Sequence, residues 1–136
     1  MRILGIDYGD TRIGLSISDP LGMIAGPLPL YIAQSMRKDA DYIAALVKEW
    51  DAQKIVLGMP RNMDGSYGER ADKTTAFGRV LEKITGLTVI FRDERLTTAQ
   101  AHRALTEGGY SKVRQKEKVD TTAAQIILQS YLDMLQ

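Results

Sequence analysis

The stretch "LGIDYGDTRIGLSISD", residues 4–19, sets two apolar runs around a Gly-Asp-Thr turn and puts an acid, Asp7, inside the first run. Residues 2–8 (RILGIDY) and 12–18 (RIGLSIS) read as paired strands joined at Gly9-Asp10-Thr11. A third strand follows at 24–32, where Pro27 and Pro29 point to an edge position or a broken strand because proline donates no ladder hydrogen bond. The period then changes. Ile43, Leu46, Val47 and Trp50 fall at i, i+3, i+4 and i+7, the apolar stripe of a helix over 39–50. "KIVLGMP", 54–60, reads as a strand buried on both faces and stopped by Gly58 and Pro60. Ser66 with Glu69 predicts a capping box for a second helix, which carries Phe77, Val80, Leu81 and Ile84 and stops at Gly86. "LTVIF", 87–91, is a fifth strand. Thr97 with Gln100 opens a third helix that ends at Gly108-Gly109. A last helix runs from about Asp120, with Ile127, Leu128, Tyr131 and Leu135 among its apolar residues.

Three strands in succession, then strand–helix alternation, predict an α/β fold. Its sheet is mixed and five-stranded: an antiparallel meander of three strands, then parallel strands reached by right-handed crossovers, with helices on both faces. The length, 136 residues, fits one domain over 1–136. Hydrophobic residues at 44% and charged residues at 26% are values of a globular chain. There is no cysteine, which excludes disulfides, zinc-thiolate sites and thiol nucleophiles and suits a reducing cytoplasm. The start, Met1-Arg2-Ile3-Leu4, enters a strand directly and lacks the layout of a secretory signal, and no apolar run is long enough to cross a bilayer. The expectation is a cytoplasmic protein with no membrane partner. Net charge is +1, so any contact with nucleic acid must use a local patch.

Ligands of open α/β sheets collect at strand ends. Three acids stand at such places: Asp7 near the end of strand one, Glu94 after strand five in "FRDERLTT", and Asp120 before the last helix in "KVDTTAAQ". Gathered together they would repel one another, and a divalent cation relieves that repulsion. Mg²⁺ prefers oxygen ligands, and a pair of such ions roughly 4 Å apart can drive phosphodiester hydrolysis. With one histidine and no cysteine, oxygen-only metal chemistry is the coherent reading. Each acid also has a plainer reading. Asp7 beside Gly9 is a possible turn-former, Glu94 within "RDER" a possible surface ion-pair partner, and Asp120 a plausible N-cap. Composition and spacing do not choose Glu94 over Asp93.

Four blocks in order, "GIDYGDTRIGLSISDP", "VLGMPRNMDGSYGERA", "RDERLTTAQA" and "VDTTAAQIILQSYLD", resemble the YqgF family, also called RuvX-like or Holliday junction resolvase-like proteins. They span almost the whole chain. The resemblance implies an RNase H-like fold and a nuclease that processes the pre-16S ribosomal RNA end. It implies that Asp7, Glu94 and Asp120 are the catalytic, metal-binding triad, holding Mg²⁺ or Mn²⁺, and so selects Glu94 over Asp93. It also makes "GMPRNMDG" a site-facing loop, with Asn62 a nucleic-acid contact; the family usually carries a small residue where Arg61 stands.

A nuclease of low net charge needs local cations for phosphates. "YSKVRQKEK", 110–118, supplies Lys112, Arg114, Lys116 and Lys118 against one acid, just before Asp120, and Arg12 follows the first turn. The expected partner is nucleic acid, either a ribosomal RNA precursor or branched DNA, with ribosomal particles as a further partner. RNA and DNA stay open, since both offer the same phosphodiester. Two other readings remain beside the nuclease. "DYGDTRIG" resembles the phosphate-binding hairpin of the actin and sugar-kinase superfamily, which implies a nucleotide-binding phosphotransferase. The same fold could also serve a non-catalytic RNA-binding module in ribosome assembly, though an intact acidic triad argues against a pure binder.

Overall fold

The computed structural model describes residues 1–60, 66–94 and 122–136. Strands β1 (Arg2–Tyr8), β2 (Arg12–Ser18), β3 (Ala25–Ile32), β4 (Ala52–Met59) and β5 (Val89–Asp93) form one sheet in the order β3-β2-β1-β4-β5. β1, β2 and β3 pair antiparallel, and β4 lies parallel to both β1 and β5. This is the mixed α/β sheet expected from the sequence. The first two strands fall at the expected bounds, and β3 takes the edge that its prolines require.

Helices α1 (Met36–Trp50) and α2 (Glu69–Thr85) cover one face of the sheet. Their stripes bury Ile43, Leu46, Val47, Phe77 and Leu81 against Leu4, Ile6, Ile13, Leu15, Ile55 and Leu57. Helix α3 (Ala123–Leu135) covers the other face, packing Ile127, Leu128, Tyr131 and Leu132 on Ile3, Ala25 and Val56. Alternation along each strand therefore feeds two cores, which is why β4 is apolar at successive positions.

Several local expectations are corrected. α2 begins at Glu69 on Gly68 as N-cap, with no side-chain cap, so Ser66 stands two residues too early to form a capping box. Gly58 does not stop β4, which runs on to Met59. The last helix starts at Ala123, not at Asp120. Its N-cap is Thr122, whose hydroxyl accepts from the Gln125 N–H at 3.2 Å while the Gln125 side chain accepts from the Thr122 N–H at 3.0 Å. A capping role for Asp120 is thereby removed. The proposed helix from Thr97 to Gly108-Gly109 lies outside the described residues. Among the described residues no helix is long and apolar enough to cross a membrane.

α3 sits close to the sheet because the positions under it are small. A Cβ on Gly5 would lie 2.4 Å from Ser16 Oγ and 2.7 Å from Leu128 Cβ. Ser16 Oγ in turn donates to the Ala124 carbonyl at 2.8 Å, tying β2 to the first turn of α3. Gly5→Ala is expected to lift α3 and cost about 1–3 kcal/mol through overpacking, read as a lower urea midpoint. An unchanged midpoint would mean that α3 does not depend on this contact.

Candidate active site

Asp7 does not interrupt a core stripe. Leu4, Ile6 and Tyr8 point to the α1/α2 core, so Ile3, Gly5 and Asp7 point to the α3 face, and Asp7 lies at the open end of that row. Its partner across the hairpin is Gly14. On β5, Val89 and Phe91 face the α1/α2 core, whereas Ile90 packs on the α3 side and Arg92 Nε donates to Ser130 Oγ of α3 at 3.0 Å. Continued alternation puts Asp93 on the α2 side and Glu94 on the α3 side, the face that holds Asp7.

β4 runs between β1 and β5, and Gly58 leaves the gap that Glu94 uses. A Cβ on Gly58 would stand 2.9 Å from Glu94 Oε1 and 2.6 Å from Ile127 Cδ1. The carboxyl of Glu94 thus lies over the bare backbone of β4 and hydrogen-bonds to Asp7. Burial, then the charge of Asp7 and the hydrogen bond to it, push the Glu94 carboxyl up to about 7 from its usual 4.5, while Arg70 pulls the other way.

The adjoining turn is fixed from α2. Arg70 Nη1 meets Asp10 Oδ1 at 2.6 Å, its Nη2 donates to the Tyr8 carbonyl, and its guanidinium lies 5.3 Å over the Tyr8 ring. Lys73 Nζ donates to the same Asp10 oxygen at 3.0 Å. The Lys73 hydrogen bond, with the Arg70 charge, holds the Asp10 carboxyl below its usual range. Arg70 and Lys73 were not singled out in the sequence, although they open the helix that follows "GMPRNMDG".

A cleft of about 320 Å³ opens beside Asp7, lined by Arg12, Gly14, Leu28, Leu30 and Thr122 among others. The structure therefore brings Asp7 and Glu94 into contact and sets Arg12 in the same cleft as Asp7. Asn62, Lys112, Arg114, Lys116, Lys118 and Asp120 lie outside the described residues. Among the described residues there is no group of three or more His, Cys, Asp or Glu side chains able to hold a metal ion. The donors of the Asp7–Glu94 pair are carboxylate oxygens under mutual repulsion. That donor set fits a hard divalent cation such as Mg²⁺ or Mn²⁺.

The family profile described as RuvX: Holliday junction resolvase matches residues 1–134. A protein of Halothermothrix orenii named "Putative pre-16S rRNA nuclease" is 45% identical over 133 residues, covering 98% of this chain and 95% of its own. One of the same name from Clostridium beijerinckii is 44% identical over 135 residues, covering 99% and 98%. Among solved structures, T. thermophilus RuvC in complex with a Holliday junction substrate aligns with a TM-score of 0.70 at 13% identity, covering 100% of this chain and 97% of that one. At such identity the likeness shows the fold alone, and the fold is RNase H-like.

The Asp7–Glu94 contact sets a pH dependence. Unfolded Glu94 ionises near 4.5 and folded Glu94 near 7, so the folded state binds more protons in that window. Stability from this source is complete below the lower value and is lost as pH rises through the upper one. In chelator, the melting temperature should fall across that window, and Asp7→Asn should flatten the fall by on the order of 1 kcal/mol once solvent screening of a half-buried pair is allowed for. Parallel melting curves for the two proteins across pH would remove Asp7 as the cause.

Proposed function

The chain belongs to the RuvX family of Holliday junction resolvases, and from this membership and the Asp7–Glu94 pair we propose a metal-dependent nuclease that hydrolyses phosphodiesters at the 5′ end of pre-16S ribosomal RNA. The observation that carries the reading is the contact of two carboxylates across a bare strand. At neutral pH and above, where both carboxyls tend to ionise, such a contact works against the fold, whereas a cation site makes use of it. We assign Asp7, Glu94 and, from the family motif, Asp120 as ligands of Mg²⁺ or Mn²⁺. When bound, the ion supplies charge stabilisation at phosphoryl oxygens and a more acidic water.

The chain's own residues do the rest. β1 fixes the Asp7 carboxylate, because Asp7 is paired to Gly14 of β2 and the residue before it, Ile6, to Leu57 of β4. Glu94 gives up its proton to become a ligand, and Arg70 lowers the cost of that ionisation. Arg12, exposed at the cleft, takes a substrate phosphate. Asn62, Lys112, Arg114, Lys116 and Lys118 are assigned as further contacts to nucleic acid from their sequence context.

The test is incubation of purified protein with labelled ribosomal precursor RNA and with a four-way DNA junction, in parallel, with and without Mg²⁺. Mg²⁺-dependent cleavage of the RNA is expected, and Asp7→Asn or Glu94→Gln should lower it by at least about 100-fold without loss of melting temperature. A wild-type rate in Asp7→Asn would refute the metal site. Cleavage of the junction alone would move the substrate to branched DNA, the activity that the family description names.

Replacing Lys112, Arg114, Lys116 and Lys118 together with Ala should flatten the dependence of log affinity on log salt by roughly 3 to 4, since each neutralised phosphate releases counterions. An unaltered slope would take the segment out of the interface.

A further inference from the structure

The pairing of β2 with β3 is irregular beside Asp7. Ile13 faces Tyr31 and Leu15 faces Leu28, so Gly14 alone stands opposite two residues, Pro29 and Leu30. This is a β-bulge, a device that re-aims side chains next to sites. Its effect here is specific. Strict alternation from Leu28 would turn Leu30 toward the α1/α2 core, whereas Leu30 instead lines the cleft with Asp7 and Gly14 and is 56% exposed. The floor at Gly14 is bare, and a Cβ there would rest at ordinary contact distance, 3.5 Å from Asp7 Cβ. Arg12 supplies the positive end, and Thr122 and Ala123 bound the cleft on the α3 side.

An exposed leucine on an edge strand, aimed into a cleft that joins a carboxylate to an arginine, has a use if an apolar, flat group linked to a phosphate enters there. We infer that this cleft is a subsite for one unpaired nucleoside next to the scissile phosphate, with the base against Leu30 and the adjoining phosphate on Arg12. The inference rests on the nuclease reading above. The volume, about 320 Å³, is at the low end for a ligand site and admits a nucleoside. A base inside a duplex cannot serve, because its faces are stacked on neighbours and none is free for Leu30. Aliphatic packing also reads no base edge, so the subsite selects for strandedness rather than for sequence. The protein then cuts next to an unpaired nucleoside.

The test uses the whole chain with ¹³C-labelled leucine methyls, in Ca²⁺ in place of Mg²⁺. Hexauridylate and a blunt RNA duplex are titrated separately. The Leu30 methyl resonances should shift saturably with the single strand and stay in place with the duplex. Leu30→Glu removes the apolar contact and adds a negative charge; it should weaken hexauridylate binding about tenfold or more, with an unchanged melting temperature because the position is exposed. Leu21→Ala, at an exposed leucine outside this cleft, should bind as wild type. Leu30 methyls that do not move at high hexauridylate, or an equal loss of single-strand and duplex affinity in Leu30→Glu, would overturn the subsite. The readout needs no cleavage, so an inactive wild-type protein whose Leu30 methyls still shift would overturn the nuclease reading and leave the subsite standing.

Discussion

The arrangement depends on how closely α3 can approach the sheet. Gly5, Gly14 and Gly58 share one face, and an added Cβ on each would meet a residue of α3: Leu128, Ala124 and Ile127 respectively. The helix settles onto backbone at these points rather than onto side chains. That descent brings Thr122 and Ala124 level with Asp7. It also leaves the gap over β4 through which Glu94 reaches β1. Larger residues at Gly5 or Gly58 would push α3 off the sheet, the first also straining the bond between Ser16 and Ala124 and the second filling the space that Glu94 occupies.

Close packing on one face is matched by a firm core on the other. Phe77 and Leu81 are wholly buried against the sheet, and Phe77 stacks on Tyr8 with ring centroids 4.1 Å apart. Tyr8 adjoins Asp7 in sequence, so the last turn of β1 is held from below by an aromatic stack and at its carbonyl by Arg70. Apolar burial thereby offsets the local cost of an acid pair whose members oppose each other's charge. Arg70 and Lys73 both bond to Asp10 and so fix the turn next to the pair.

Much of the fold was legible because periodicity reports burial. The two-residue alternation of β1 and β2, the prolines of β3 and the stripes of α1 and α2 all express which face meets the core. The same parity contains the choice of Glu94 over Asp93: counting from Val89 and Phe91 puts the even residue on the Asp7 face. Spacing alone had left that choice open, and the family resemblance made it. Ser66 misled because a Ser-x-x-Glu pattern also arises inside a loop, whereas Thr122-x-x-Gln125 was the pattern that formed a cap. The bulge at Gly14 was not legible at all. Register between strands is set by pairing in space, and no local signal distinguishes Leu30 facing the core from Leu30 facing a cleft.

The bond from Ser16 to Ala124 joins residues 108 positions apart, and it has a consequence in time. A chain leaving the ribosome makes the β1–β2 hairpin early and α3 late. Until α3 arrives, one face of the sheet has no cover, and Val56, Ile3 and the glycine lane meet water. The cleft beside Asp7 then lacks its Thr122 wall. Contacts of such long sequence separation are slow to form, because the loop between them must close first. The wall of the cleft beside Asp7 is thus completed only when the last helix has docked.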